Sequence, residues 1–239
     1  MSKNQNKDQS VRINKYIANQ GVASRREADR LIEAGRVKIN NAKAELGDRV
    51  SPGDKVSVNN KRIDTIEVEA VYIAFNKPRG VVSTTAAEEK NNIVDYIDYP
   101  ERIFPVGRLD KDSSGLILLT NDGSIVNRMM KSSEDKEKEY VVKVDKEITP
   151  EFTESMENGV YILNQTTKPA KLTQLNKYEF KLSITQGLNR QIRRMCEALG
   201  YNVVELERTR IMNVTLGNLK EGEWRYLTYK ELQQLKSLL

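Results

Sequence analysis

Histidine is missing altogether from the 239 residues, and cysteine occurs once, as Cys196. Without an imidazole, Ser-His-Asp and Cys-His mechanisms are excluded, together with nearly every zinc-hydrolase site. A single cysteine allows no intramolecular disulfide and no thiolate metal cluster within one chain, so no metal is expected. Apolar runs of the roughly 20 residues that cross a bilayer are absent too, and the start, MSKNQNKDQS, lacks the hydrophobic core of a signal peptide. The expectation is a soluble cytoplasmic protein with no membrane partner and a disordered tail over residues 1–10. Neither GxGxxG nor GxxxxGK[ST] occurs, which removes the usual fingerprints of nucleotide cofactors and leaves chemistry to carboxylates, Tyr, Lys and Arg.

What the chain does contain is a concentrated positive charge. Residues 11–43 carry eight basic side chains (Arg12, Lys15, Arg25, Arg26, Arg30, Arg36, Lys38, Lys43) against three acids. The remainder holds 31 of each sign, so this segment accounts for the whole net charge of +5. A patch of that kind is the footprint of a polyphosphate binder, although a solvated helix face is the commoner meaning of a charge run. Its spacing predicts a short helix stopped at Gly21 and a second helix in SRREADRLIEAG. There Ser24 and Glu27 stand as a capping box, Ala28, Leu31 and Ile32 form the apolar stripe, and Gly35 is the stop. Short strands joined by Gly and Pro turns follow. This order of elements resembles the alpha-L RNA-binding domain. The resemblance implies that Arg12, Lys15, Arg25, Arg26, Arg30, Arg36 and Lys38 grip folded RNA through its phosphates, which confers affinity and little sequence reading.

Beyond this segment, expected over 11–62 and followed by a linker over 63–70, the composition turns to Val, Ile and Tyr with strand alternation, broken at the Lys77-Pro78-Arg79-Gly80 turn. Strands are expected at 116–120, 139–145, 171–185 and 202–209, and helices at 124–131, 149–158, 189–199 and 228–238. That makes residues 71–239 a second domain and the fold class α+β, with no regular βαβ alternation. SSEDKEKE reads as an exposed loop of cancelling charges.

Three features of this domain could carry chemistry. GRLDKDSSGLILLTNDG places Arg108, Asp110 and Asp112 on a Gly-bounded loop ahead of an apolar strand. KEKEYVVKV holds Tyr140 at a strand start. QGLNRQIRRMCEALG sets Arg190, Arg193 and Arg194 at i, i+3 and i+4 on a helix opened by Asn189. Singly, each also fits an Asx turn, a core tyrosine or a solvated basic face. Cys196 reads as a buried helix residue.

Together, GRLD with LILLTNDG, EYVV and GLNRQIRRM resemble the RNA pseudouridine synthases, in the branch that also carries an N-terminal alpha-L domain. The resemblance implies a catalytic domain with a mixed, mainly antiparallel sheet flanked by helices, acting without cofactor or metal. It implies Asp110 as the essential carboxylate, with Asp112 only forming the turn, and Arg193 as the cation that keeps the carboxylate ionised. Tyr140 would stack on the flipped uracil, Ile192 would close the pocket, Arg108 would hold the nucleotide out of its stem, and Arg190 and Arg194 would contact the substrate backbone. One departure is Arg190, where other branches carry His. The implied partner of this monomer is a 23S ribosomal RNA stem-loop or a ribosomal precursor particle. A tRNA stem-loop, or a non-catalytic RNA-binding role in ribosome assembly, is the alternative.

Overall fold

The computed structural model describes residues 10–63, 69–86, 88–130 and 136–239. The chain divides into two compact units, 1–70 and 71–239. The expected tail and linker fall mainly on residues 1–9 and 64–68, outside the described residues, as does the first half of SSEDKEKE.

The first unit comprises β1 (Val11–Arg12), α1 (Ile13–Asn19), α2 (Arg25–Glu33), β2 (Val37–Ile39), β3 (Ala42–Lys43), β4 (Arg49–Val50), β5 (Val56–Val58) and β6 (Lys61–Ile63). Ala28, Leu31 and Ile32 share one face of α2 and bury against Ile13 and Ile17 of α1 and Val37, Val56 and Val58 of the strands. Ser24 caps α2 by accepting the Glu27 backbone N–H at 3.1 Å. The Glu27 carboxylate does not complete the expected box but turns to Arg30 at 3.3 Å. The turns also depart from expectation. Gly47 and Gly53 lie in the connections flanking β4, whereas the hairpins β2–β3 and β5–β6 close on Asn40–Asn41 and Asn59–Asn60, all four at positive φ. Asn tolerates that backbone, and two such residues in succession match the twist of a two-residue hairpin.

The second unit runs β7 (Tyr72–Lys77), α3 (Ile93–Ile97), β8 (Phe104–Val106), β9 (Ser114–Thr120), α4 (Gly123–Met130), β10 (Lys138–Val144), α5 (Pro150–Asn158), β11 (Tyr161–Ile162) and β12 (Gln165–Thr166). It continues with β13 (Lys171–Gln174), β14 (Glu179–Ile184), α6 (Gln191–Ala198), β15 (Val203–Ile211), β16 (Val214–Thr215), β17 (Trp224–Tyr226) and α7 (Tyr229–Ser237). The architecture is the expected α+β. A mixed sheet has the order β13-β14-β10-β15-β9-β7-β17, with β16 on β15 and β8 on β9, and β9 and β15 pair in parallel. Alternation along the strands separates two cores. Phe75, Ile117, Val142 and Leu182 face α3, α5 and α6, while Ala74, Leu116 and Leu118 face α4 and α7. Among the described residues no helix is long and apolar enough to cross a membrane.

Two expected elements change. The single strand over 171–185 is a hairpin, β13 and β14, whose turn is closed by the Asn176 side chain accepting the Tyr178 N–H at 2.9 Å. The helix expected from 189 begins at Gln191, because Arg190 adopts a left-handed conformation, φ 49°. At Gly115 the two parallel strands come so close that a Cβ would lie 2.4 Å from the Arg208 carbonyl oxygen, and φ there is +104°. Gly115→Ala should therefore cost roughly 1–3 kcal/mol or more, seen as a lower urea midpoint. An unchanged midpoint would show that the strands separate at little expense.

Candidate active site

The register of four strands sets one row of residues across the sheet. Lys77 of β7 pairs with Gly115 of β9, Gly115 with Arg208 of β15, and Arg208 with Tyr140 of β10. Residues in such a row point to the same face, here the face that carries Phe75, Val142 and Leu206. Gly115 contributes no side chain, so the Lys77 and Arg208 side chains flank a gap. Lys77 is 0% exposed, Arg208 3% and Tyr140 8%.

The loop 107–113 enters β9 at this row and is held from several directions. Its own turn closes through Ser113 N–H to the Asp110 carbonyl at 3.0 Å, and the Gly80 N–H donates to the Lys111 carbonyl at 2.7 Å. The Ser83 hydroxyl donates to the Leu109 carbonyl at 2.8 Å and accepts the Leu109 N–H at 3.1 Å. Arg193 of α6 donates through Nη2 to the Asp112 carbonyl at 2.9 Å and to Ser113 Oγ at 3.2 Å, and through Nη1 to the Val203 carbonyl at 3.3 Å. Arg208 donates through Nε to the Leu116 carbonyl at 2.7 Å and through Nη1 to the Arg108 carbonyl at 3.4 Å. Two guanidinium groups thus clasp the main chain on both sides of Asp110, which stays half-buried. Each keeps one buried nitrogen without a partner among the described residues, Nε of Arg193 and Nη2 of Arg208.

Burial dominates the electrostatics. It pulls the Lys77 ammonium down to about 8, with repulsion from Arg208 in the same sense and attraction from Asp110, Glu221 and Asp112 opposing. Arg193 is lowered by burial first and Arg190 second, against Asp110 and Asp112. Lys138, two residues before Tyr140, is lowered by burial and by Arg208 and Lys136. Cys196 is buried inside α6, its thiol pushed up to about 12 by desolvation.

The residues singled out in the sequence converge in part. Asp110, Tyr140, Ile192 and Arg193 lie on the elements bounding the row, with Ile192 buried and Arg108 exposed. Arg193 is within electrostatic reach of Asp110, yet its hydrogen bonds go to the loop main chain. Asp112 does not close the turn with its side chain; its carboxylate meets Arg190 at 3.8 Å. Arg194 turns back to the carbonyl and side-chain oxygen of Asn189 at 3.1 and 3.2 Å, so Asn189 receives a cation and does not open the helix. Lys77, Ser83 and Arg208 were not anticipated. A lysine ending YIAFNK, apolar up to Asn76, was the one local signal, since buried Lys is rare without a partner.

In the first unit, Arg12, Lys15 and Arg25 line one cleft of about 230 Å³ together with Ser10, Val11 and Arg49. Arg49 is fixed there by Nε to Ser10 Oγ at 2.8 Å. Arg26, Arg30, Arg36 and Lys38 lie outside this cleft, Lys38 donating to the Asn60 side chain at 3.1 Å.

A basic N-terminal unit precedes a unit whose mixed sheet carries a loop braced by two arginines, and similarity to known proteins gives this arrangement its class, that of an RNA-modifying enzyme. The family described as S4 domain matches residues 11–56 and that described as RNA pseudouridylate synthase matches residues 71–198. The chain belongs to the RNA pseudouridylate synthase family and is an RNA pseudouridine synthase. It is 54% identical to the dual-specificity RNA pseudouridine synthase RluF of Escherichia coli (strain K12), over 97% of this chain and 80% of that one. That agrees with the resemblance of GLNRQIRRMCEALGYNVVELERTRI and LKEGEWRYLT to large-subunit synthase F. It is 40% identical to ribosomal large subunit pseudouridine synthase B of Bacillus subtilis (strain 168), over 95% and 96%. A solved crystal structure of a pseudouridylate synthase is similar with a TM-score of 0.69 and 33% identity, covering 96% of this chain and all of that one.

Lys77 makes the pH dependence of stability a direct probe of the row. Its folded value of about 8 lies below the ordinary 10.5, so between these the unfolded chain holds a proton that the folded chain has shed. Stability from this group therefore rises with pH across that window. Tyr72, pushed up to about 12 from 10.0, acts in the opposite sense only above pH 10. Urea unfolding near pH 7.5 and 9.5 should show wild type gaining on Lys77→Met by on the order of 1 kcal/mol. An equal difference at both pH values would mean that Lys77 is not held below its ordinary range.

Proposed function

We propose that the chain isomerises a uridine in a stem-loop of large-subunit ribosomal RNA, with Asp110 as the reacting carboxylate. The observation that carries this reading is the clasp on its loop: Arg193 and Arg208 hold the main chain on either side of Asp110. The reaction breaks the N1–C1′ bond, turns the base and joins C5 to C1′; C5 then loses its proton and the freed N1 takes one up, so product and substrate are isomers. Asp110 either attacks C1′ or removes the 2′ proton. Tyr140 offers its ring to the flipped uracil, its hydroxyl lying near C5. Arg193 opposes the desolvation of the carboxylate, and Ile192 closes the pocket. Arg108, Arg190 and Arg194 contact the target nucleotide and its backbone. The name of the Bacillus subtilis relative supports a large-subunit RNA substrate. The words dual-specificity in the Escherichia coli relative's name favour a second reading, in which a tRNA stem-loop is also accepted.

Tritium release from RNA labelled at uridine C5 tests the assignment. Asp110→Asn should abolish release while RNA binding persists, since the amide keeps the shape and removes the charge. Asp112→Asn, which loses only an exposed ion pair worth about 0–1 kcal/mol, should keep most of its rate. The reverse pattern would move the reacting role to Asp112.

Arg12, Lys15, Arg25, Arg26, Arg30, Arg36 and Lys38 are the proposed phosphate contacts. Replacing Arg12, Lys15 and Arg25 together by Gln should weaken RNA binding and flatten the slope of log affinity against log salt by roughly one unit for each phosphate no longer neutralised. An unchanged slope would show that the cleft does not touch phosphate.

A further inference from the structure

Two of the three side chains in the row beside Asp110 are cations with no carboxylate of their own. Lys77 donates to the carbonyls of Pro78 at 2.8 Å and Val81 at 2.9 Å. Arg208 spends Nε and Nη1 on the carbonyls of Leu116 and Arg108, and its Nη2 is buried with no partner among the described residues. Neither group ion-pairs within the described residues, although each is almost wholly shielded from solvent. Burying like charges side by side is unfavourable unless an anion offsets them. Main-chain carbonyls fix both cations in place but neutralise neither.

We propose that Arg208 and Lys77 are positioning residues for the reacting carboxylate: a fixed pair of buried cations beneath the loop 107–113 whose counter-charge is Asp110. The proposal rests on the reading of Asp110 given above. Among the acids acting on Lys77, Asp110 comes first, ahead of Glu221 and Asp112. Arg208 reaches the loop itself through the carbonyl of Arg108, two residues before Asp110. Other charged groups on the surrounding elements are Arg108 and Lys111 in the loop itself, Arg79 in the turn after β7, Glu207 on β15, Lys138 at the start of β10 and Lys136 just before it, Arg190 ahead of α6 and Arg193 within it. Arg193 approaches from the helix side and the row from the sheet side, so the carboxylate is placed between positive groups carried by different elements. An anion preorganised in this way needs no movement of the protein as its charge is consumed and restored during turnover.

The test uses the full chain carrying Arg208→Met, Arg208→Lys or Lys77→Met. Single-turnover tritium release is followed across about pH 5 to 9, beside RNA affinity and urea unfolding. Arg208→Met should slow release by roughly 10- to 100-fold with RNA affinity within about twofold, and should move the acid limb of the rate profile to higher pH. Arg208→Lys keeps the charge and should bring the limb back, though not the full rate, because the Nε bond to Leu116 is lost. Lys77→Met should move the limb the same way and supplies the readout if Arg208→Met fails to fold. Slower release with an unmoved limb in both Met variants, or a limb that Arg208→Lys does not restore, would reduce the pair to packing and overturn the proposal. Asp110→Asn measured alongside separates two failures. If it turns over, the reading beneath the proposal falls; if it is dead while the limbs stay put, the cation pair alone is refuted.

Discussion

The close parallel approach of β9 and β15 at Gly115 and Arg208 is the joint on which the site depends. A side chain at 115 would meet the Arg208 main chain, so the strands can pair there only around glycine. That pairing puts Lys77 on one side of Gly115 and Arg208 on the other, and carries Tyr140 to the next position in the row. It also fixes where the loop 107–113 arrives, because Ser114 is already the first residue of β9. Loop position, cation position and tyrosine position therefore follow from one backbone contact. A one-residue slip at that joint would carry Arg208 and Tyr140, on β15 and β10, to the face opposite Lys77 and break up the row.

Desolvation outweighs attraction at the two best-placed cations, since burial is the first cause of the lowering of both Lys77 and Arg193. The exposed pair Arg190–Asp112, at 3.8 Å, belongs to a different regime, in which solvent screens the charges and little stability is gained. The site is thus asymmetric. Its rim carries the exposed arginines Arg108 and Arg190, and its floor cations fixed by carbonyl oxygens. Such a floor destabilises the fold locally, as functional sites commonly do, and the surrounding sheet supplies the rigidity that keeps it in place.

Much of this was legible in the chain, in proportion to how local each signal is. The stripe of α2 and the cap at Ser24 depend on residues three and four apart, and both are present in the fold. Asp110, Tyr140 and Arg193 are marked by residue type and by neighbours within a few positions. The row itself was not legible, because register between β7, β9, β15 and β10 joins residues from 77 to 208 and no short segment encodes it. Arg208 was hidden for a related reason: in VVELERTRI it sits among charged residues and looks like a solvent-facing position, while β9 and β10 cover it. Asn189 looks like a helix opener because Asn favours that position in general. Here its oxygens serve Arg194, and the left-handed Arg190 takes the boundary.

On the proposed reading the two units divide the energetics of one reaction. Extruding a uridine from a stem costs a few kcal/mol before any bond changes. Phosphate contacts of the kind offered by Arg12, Lys15 and Arg25 can offset that cost, but they act without regard to sequence. The buried floor of the second unit cannot choose a target either, because Lys77 and Arg208 are out of reach of the RNA. Choice of the uridine is therefore left to the shape of the RNA and to the exposed rim of the second unit, where Arg108 belongs to the clasped loop and Arg190 meets it through Asp112. Arg190, left-handed at the start of α6 and 3.8 Å from the Asp112 carboxylate, is on this reading the rim cation tied to the loop, through an ion pair that contributes little to stability.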